Sequence, residues 1–184
     1  MDKGKGSQLM RHDQTGKQEI MRQILPAGKA DQGQVLELYK RQLGREFCPW
    51  DEHYPGETEI EFDLSRDALF VMKTDKGEVI AAISIDQDEA VEALDCWSAD
   101  RRPGGELSRL AVHPDWQNQG IAREMLQYGM KMLAKRGYRS VHFLVNRFNE
   151  KAIRSYEVFQ CEVVGTCNLY GQPFLCYEKE LGNH

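Results

Sequence analysis

The residues best suited to chemistry lie in one run of the chain. Glu106-Leu107-Ser108-Arg109-Leu110-Ala111-Val112-His113-Pro114 reads as a strand closed by a turn, and Gln117-Asn118-Gln119-Gly120-Ile121-Ala122 follows as a polar turn whose glycine opens into a helix. A helix entered through small residues leaves its first N–H groups unpaired at its positive end, which suits a phosphate or pyrophosphate. The P-loop is excluded because no Gly-Lys-Ser/Thr follows, and the first glycines of a dinucleotide-binding turn are missing. The expected ligand therefore carries phosphate and needs neither a lysine nor a metal. No His, Cys and Asp cluster has metal-ligand spacing, so no metal is expected. No Ser, His and Asp arrangement suggests a covalent nucleophile.

Several elements must position that run. Ile121, Met125, Tyr128 and Met132 recur at helical spacing with Ala122, Leu126 and Leu133 beside them, and Gly137 supplies the stop. Ser140 to Val145 is strand-like, and a helix over 149–158 follows. Upstream, residues 19–25 form a candidate first strand, and Asp31 caps a helix that carries Val35, Leu36, Leu38, Tyr39 and Leu43 inward and ends at Gly44. Residues 47–67 are aromatic and acidic and read as loop with a short helix. Leu69 to Lys73 and Glu78 to Asp86 make one hairpin; Glu162 to Leu169 and Pro173 to Glu180 make another. Asp88 to Gly105 reads as an exposed connection anchored by Trp97. Strands alternating with helices and hairpins predict a mixed α+β sheet.

Composition bounds the rest. At 184 residues the chain suits one domain, here residues 19–184, behind a polar tail over 1–18 read as flexible. Hydrophobic residues at 41% and charged residues at 29% are ordinary for a globular protein. The net charge of −5 argues against nucleic acid, and no apolar run is long enough for a membrane. Five cysteines leave one over in any pairing, so reduced thiols in a cytoplasmic protein are expected.

Gln117-x-x-Gly120-x-Ala122, placed between a strand end and an amphipathic helix, resembles motif A of the GNAT superfamily of acetyl-CoA-dependent N-acyltransferases. Asn149-Glu150-Lys151-Ala152-Ile153-Arg154-Ser155-Tyr156 is similar to a second element of that family. The resemblance spans roughly residues 19–181 and implies the GNAT fold, an α+β sheet of six or seven strands splayed between the fourth and fifth. It implies acetyl-CoA as acyl donor and an amine as acceptor. The pantetheine arm would lie along Leu110, Ala111 and Val112, with the pyrophosphate on the N–H groups of Gln119, Gly120, Ile121, Ala122 and Arg123. Gln117, Asn118, Asn149 and Ala152 complete the cofactor-binding set, and the Val112 N–H would meet the oxyanion.

Tyr156 is the implied general acid and a cofactor contact, with a core tyrosine as the other reading of its helical position. Glu106 is the implied base, set against a strand-end carboxylate in solvent, and both readings stand. His142, between Val141 and Phe143, reads as a structural histidine. Relatives carry a Gly-Phe pair soon after the tyrosine; Val158-Phe159-Gln160-Cys161 departs from it, which puts the helix end in question. Trp50, His53 and Tyr54 are the candidate acceptor-binding residues, in a stretch resembling a bacterial GNAT subgroup of unassigned substrate. Its acidity suits a cationic small-molecule amine, with a peptide N-terminus or protein lysine second. An acyl-CoA sensor without turnover is the alternative from a different class. Dimers are common among such proteins, so a homodimer is compatible with the chain.

Overall fold

The computed structural model describes residues 20–182, so the tail expected over 1–18 lies outside the described residues. Seven strands form one sheet: β1 (Arg22–Pro26), β2 (Leu69–Thr74), β3 (Val79–Asp86), β4 (Gly104–Val112), β5 (Ser140–Asn146), β6 (Glu162–Leu169) and β7 (Gln172–Glu180). Their order is β1-β2-β3-β4-β5-β7-β6. Every neighbouring pair is antiparallel except β4 and β5, which run parallel. The helices are α1 (Gln32–Lys40), α2 (Glu57–Ser65), α3 (Glu89–Glu92), α4 (Ile121–Lys135) and α5 (Glu150–Glu157).

β3 is buried along almost its whole length, as a central strand covered on both faces must be. One face carries α4, whose Ile121, Met125, Leu126, Met130 and Leu133 join Phe70, Met72, Ile83 and Phe143 in the larger core. Each such side chain contributes roughly 1.5–3 kcal/mol of burial. α4 can lie this close to β4 because residue 129 is glycine: a Cβ there would come within 2.8 Å of Leu107. The other face carries α1 and α2, with Val35, Leu38, Tyr39 and Ile60 packed on Leu69, Val71 and Ala111. Asp31 is not the simple helix cap that its place in the sequence suggests. It ends a 3-10 turn (Lys29–Asp31), its carboxylate accepts from the Gly28 N–H at 2.8 Å, and α1 continues from it without a side-chain cap.

Two irregularities shape the centre of the sheet. β4 and β5 pair only from Gly104–Ser140 to Glu106–His142, and then they part. The register of β3 on β4 slips between Ala82 and Ser84, where Arg109 takes φ 48°. Two residues of β4 therefore oppose one of β3, a bulge that bends the strand and increases its twist. The expected splay between the fourth and fifth strands is thus present. Glu106 sits at its apex.

Candidate active site

The splay opens into two clefts that share Phe47, Leu110, Asn149, Ala152 and Tyr156. One, of about 1020 Å³, lies between the start of α4 and α5. The other, of about 790 Å³, is walled by α2, the segment before it, β4, β5 and the β6–β7 turn.

The first cleft has the features of an anion cradle. Asn118 and Gly120 take φ 59° and 76°, the left-handed region, and Gly120 caps α4. In the first turn of α4 the N–H groups of Ile121, Ala122 and Arg123 precede the first intrahelical bond, which Glu124 makes to the Gly120 carbonyl at 3.1 Å. A Cβ at Gly120 would meet nothing within 4 Å. Glycine is needed there for its φ, and the space beside it is free for a ligand. Gln117, Asn118, Gly120, Ile121, Ala122 and Arg123 all line this cleft, whereas Gln119 does not and is exposed. Leu110 and Val112 line it too, while the Ala111 side chain is buried on the α1 side.

Strand alternation orients Val112 as well. The next N–H, that of His113, donates to the Ile80 carbonyl at 2.8 Å, which turns the Val112 N–H away from β3. Its carbonyl accepts from Gln42 Nε2 at 3.0 Å and Gln117 Nε2 at 3.3 Å. Sequence reasoning missed three basic residues on this cleft, Arg45, Arg123 as a charge, and Lys151, whose ammonium donates to Asn118. The signal for Lys151 was its place two residues after the Asn149 cap.

α5 holds the shared wall. Asn149 Oδ1 accepts from the Ala152 N–H at 3.1 Å, the cap expected from sequence. Tyr156 follows on the inner face, its ring edge-on to Phe143 at 5.1 Å, and burial pushes its phenol up to about 12. With the glycine absent, α5 closes on Val158 in the right-handed region, and the turn over 158–160 that follows ends on Gln160 at φ 56° with Phe159 buried.

The second cleft contains Glu106. Its side chain is only 5% exposed, and Oε2 has no hydrogen-bond partner among the described residues. Burial first, then the charges of Asp86 and Asp88, push its carboxyl up to about 9. It is no solvated strand-end carboxylate. Beneath it lies a network that sequence reasoning missed. Arg109 donates to Asp63 at 2.8 and 3.0 Å, to Asp86 at 2.7 Å and to the Tyr54 hydroxyl at 3.3 Å. Ser84 also donates to Asp63, at 2.6 Å, and Ser108 to Asp86, at 2.9 Å. The available signal was an arginine placed directly before the apolar run Leu110-Ala111-Val112 of β4, which needs partners when buried.

Of the candidate acceptor residues, Trp50 and Tyr54 line this cleft. His53 does not: Asp51 Oδ1 accepts the backbone N–H groups of His53 and Tyr54, and the turn so formed leaves His53 exposed outside both clefts. His142 is structural, bonded through Nε2 to Glu92 at 2.6 Å and packed on Trp97. Among the described residues no group of three or more His, Cys, Asp and Glu is placed to hold a metal. Among the same residues no helix is long and apolar enough to cross a membrane.

Residues 34–159 match the family model described as "Acetyltransferase (GNAT) family". An acetyltransferase of Pectobacterium atrosepticum is 28% identical over 122 residues, covering 66% of this chain and 75% of the relative. The mycothiol acetyltransferase of Nocardiopsis dassonvillei is 34% identical over 74 residues, covering 40% of this chain but only 22% of that protein. The chain thus matches about a fifth of the length of that relative. Among solved structures, the ribosomal-protein-S18-alanine N-acetyltransferase of Escherichia coli aligns with a TM-score of 0.66 at 18% identity, covering 88% of this chain and 94% of that one. The Salmonella typhimurium protein yncA, solved with its cofactor acetyl-CoA, aligns with a TM-score of 0.70 at 18% identity, covering 89% and 96%. These two share the fold.

Proposed function

The chain belongs to the GNAT acetyltransferase family, and from that premise we propose that it moves an acetyl group from acetyl-CoA to the primary amine of a small molecule. The observation that carries the reading is Glu106, a buried carboxyl with an unpartnered oxygen at the apex of the splay. It faces the acceptor cleft, which meets the anion cradle at Tyr156.

The residues present fit acetyl-CoA. The unpaired N–H groups of Ile121 to Arg123, with the open space beside Gly120, suit the pyrophosphate. The edge of β4 at Leu110–Val112 suits the amide-bearing arm, which can pair with it as an added strand does. When bound, the donor supplies an activated thioester carbonyl.

The amine arrives as an ammonium. Its charge beside Glu106 favours the carboxylate, offsetting the burial that otherwise keeps the group protonated. Glu106 then takes the proton from nitrogen, directly or through a water. The freed lone pair attacks the carbonyl carbon, so an N–C bond forms and the C–S bond breaks. The Val112 N–H donates to the charge developing on the acyl oxygen. Tyr156 gives its phenolic proton to the departing sulfur and is reprotonated afterwards. Of the two protons the ammonium loses overall, one ends on the thiol and one in solvent. Glu106 on the acceptor cleft and Tyr156 on the wall it shares with the cradle support turnover over mere sensing, because a sensor of acyl-CoA needs neither.

The cleft also favours a small acceptor over a protein. The Tyr170 hydroxyl of the β6–β7 turn donates to Asp88 in the connection after β3, and both residues line the cleft. The test is free-thiol release with acetyl-CoA against polyamines, amino sugars, amino acids, arylalkylamines and short peptides. Turnover of a small amine is expected. Turnover of peptides alone would replace this reading with a peptide acceptor, and acetyl-CoA binding without turnover of any amine would replace it with a sensor.

A further inference from the structure

The wall of the acceptor cleft discriminates among amines more sharply than its acidity suggests. Its carboxylates are mostly committed. Asp51 accepts two backbone N–H groups, and Glu59 accepts from the Gly56 N–H at 2.7 Å. Asp86 is held by Arg109 and Ser108, and Asp88 by the Ala90 N–H and Tyr170. Glu106 is the exception, 5% exposed with Oε2 unpartnered among the described residues.

Arg109 is the one basic side chain among the described residues lining this cleft. It is 8% exposed and already shared between Asp63 and Asp86. No cation is therefore left for a carboxylate on the acceptor, which would instead meet Asp86 and Asp88. The apolar part of the wall points the same way. Tyr54, Phe62 and Tyr170 are 43%, 48% and 66% exposed, and all three line this one cleft beside Trp50. The Arg66 guanidinium stacks on the Phe62 ring at 4.1 Å to its centroid, and the aromatic surface still exposed around the recess suits a flat apolar body, with an ammonium attracted to the Tyr54 and Tyr170 rings.

We propose that the acceptor is an arylalkylamine: a primary ammonium on a short alkyl chain bearing an aromatic ring, with no carboxylate. The ammonium binds Glu106 and the ring lies among Trp50, Tyr54, Phe62 and Tyr170. This assignment rests on the acetyl-transfer reading for its chemistry, though binding tests it separately.

The experiment is calorimetric titration of the full chain with 2-phenylethylamine, phenylalanine and spermidine, followed by thiol release with each. The amine should bind at least tenfold tighter than phenylalanine and tighter than spermidine. Phe62→Ala, a change at a half-exposed ring, should weaken 2-phenylethylamine about five- to tenfold and leave acetyl-CoA affinity unchanged. Equal binding of phenylalanine would overturn the exclusion of carboxylates, and tighter binding of spermidine would overturn the role of the rings. If 2-phenylethylamine binds as expected but is not acetylated, the ligand class stands and acetyl transfer to it falls. If other amines are acetylated while 2-phenylethylamine neither binds nor reacts, acetyl transfer stands and this inference falls.

Discussion

At pH 7 the Glu106 carboxyl, pushed up to about 9 by burial and by Asp86 and Asp88, stays protonated in the folded chain and ionises once the chain unfolds. The folded state therefore binds more protons than the unfolded state between the ordinary glutamate value of 4.5 and about 9, and stability falls as pH rises through that window. Glu106→Gln keeps the shape and removes the ionisation. It should stabilise the chain by at most on the order of 3 kcal/mol at pH 7, with little gain below pH 5. Thermal unfolding at pH 5 and pH 8 checks this, and an equal gain at both would sink the assignment. The same variant should lower kcat by roughly one to three orders of magnitude, and the rise of kcat/KM toward pH 9 should then follow the amine alone. Tyr156→Phe should cost a similar factor in turnover while acetyl-CoA affinity barely moves. Were affinity to fall in step with rate, the phenol would be a contact to the donor and nothing more.

The helix ends are where these groups gain their positions. α5 begins at Asn149 by a side-chain cap, and the turn that follows its last residue, Glu157, ends on Gln160 in the left-handed region, where a Cβ is strained. Gln160→Gly should relieve that strain and stabilise the chain by about 0.5–1 kcal/mol, after allowance for the extra freedom glycine gives the unfolded chain. A denaturant midpoint that falls would show that the Gln160 side chain makes a compensating contact. The Asn149 cap was legible before the fold was known, because Asn149 and the helix after it could be read from spacing. What replaces the missing glycine could not, because a positive φ at a glutamine has no sequence signature.

For the whole molecule the consequence is linkage between the donor cleft and stability. The cradle at the start of α4 exists only when α4, β4 and α5 are assembled, so a ligand held there binds the folded state alone. Acetyl-CoA at a hundred times its dissociation constant should add about 2.7 kcal/mol, a rise in Tm of roughly 5–10 °C for a chain of this size. Gly120→Leu should shrink that shift, since φ 76° is costly for leucine and its side chain would occupy the open space the pyrophosphate needs. A full shift in that variant would place the pyrophosphate elsewhere.

By itself the sequence determined what short-range physics controls. The turn at Gly120, the amphipathic α4, the Asn149 cap and the two hairpins depend on residues a few positions apart, and the structure has each of them. Only the tertiary structure decided the state of Glu106, because its pKa is raised first by the burial set where β4 leaves β5 and then by the charges of Asp86 and Asp88. It alone joined Arg109 to Asp63 and Asp86, which lie 46 and 23 positions away. It likewise put Trp50 and Tyr54 on the cleft while turning His53 out, a choice made by the Asp51 carboxylate. Periodicity reports which face of an element is apolar, but it does not report which distant side chain will stand opposite. That pairing is fixed only when the sheet closes.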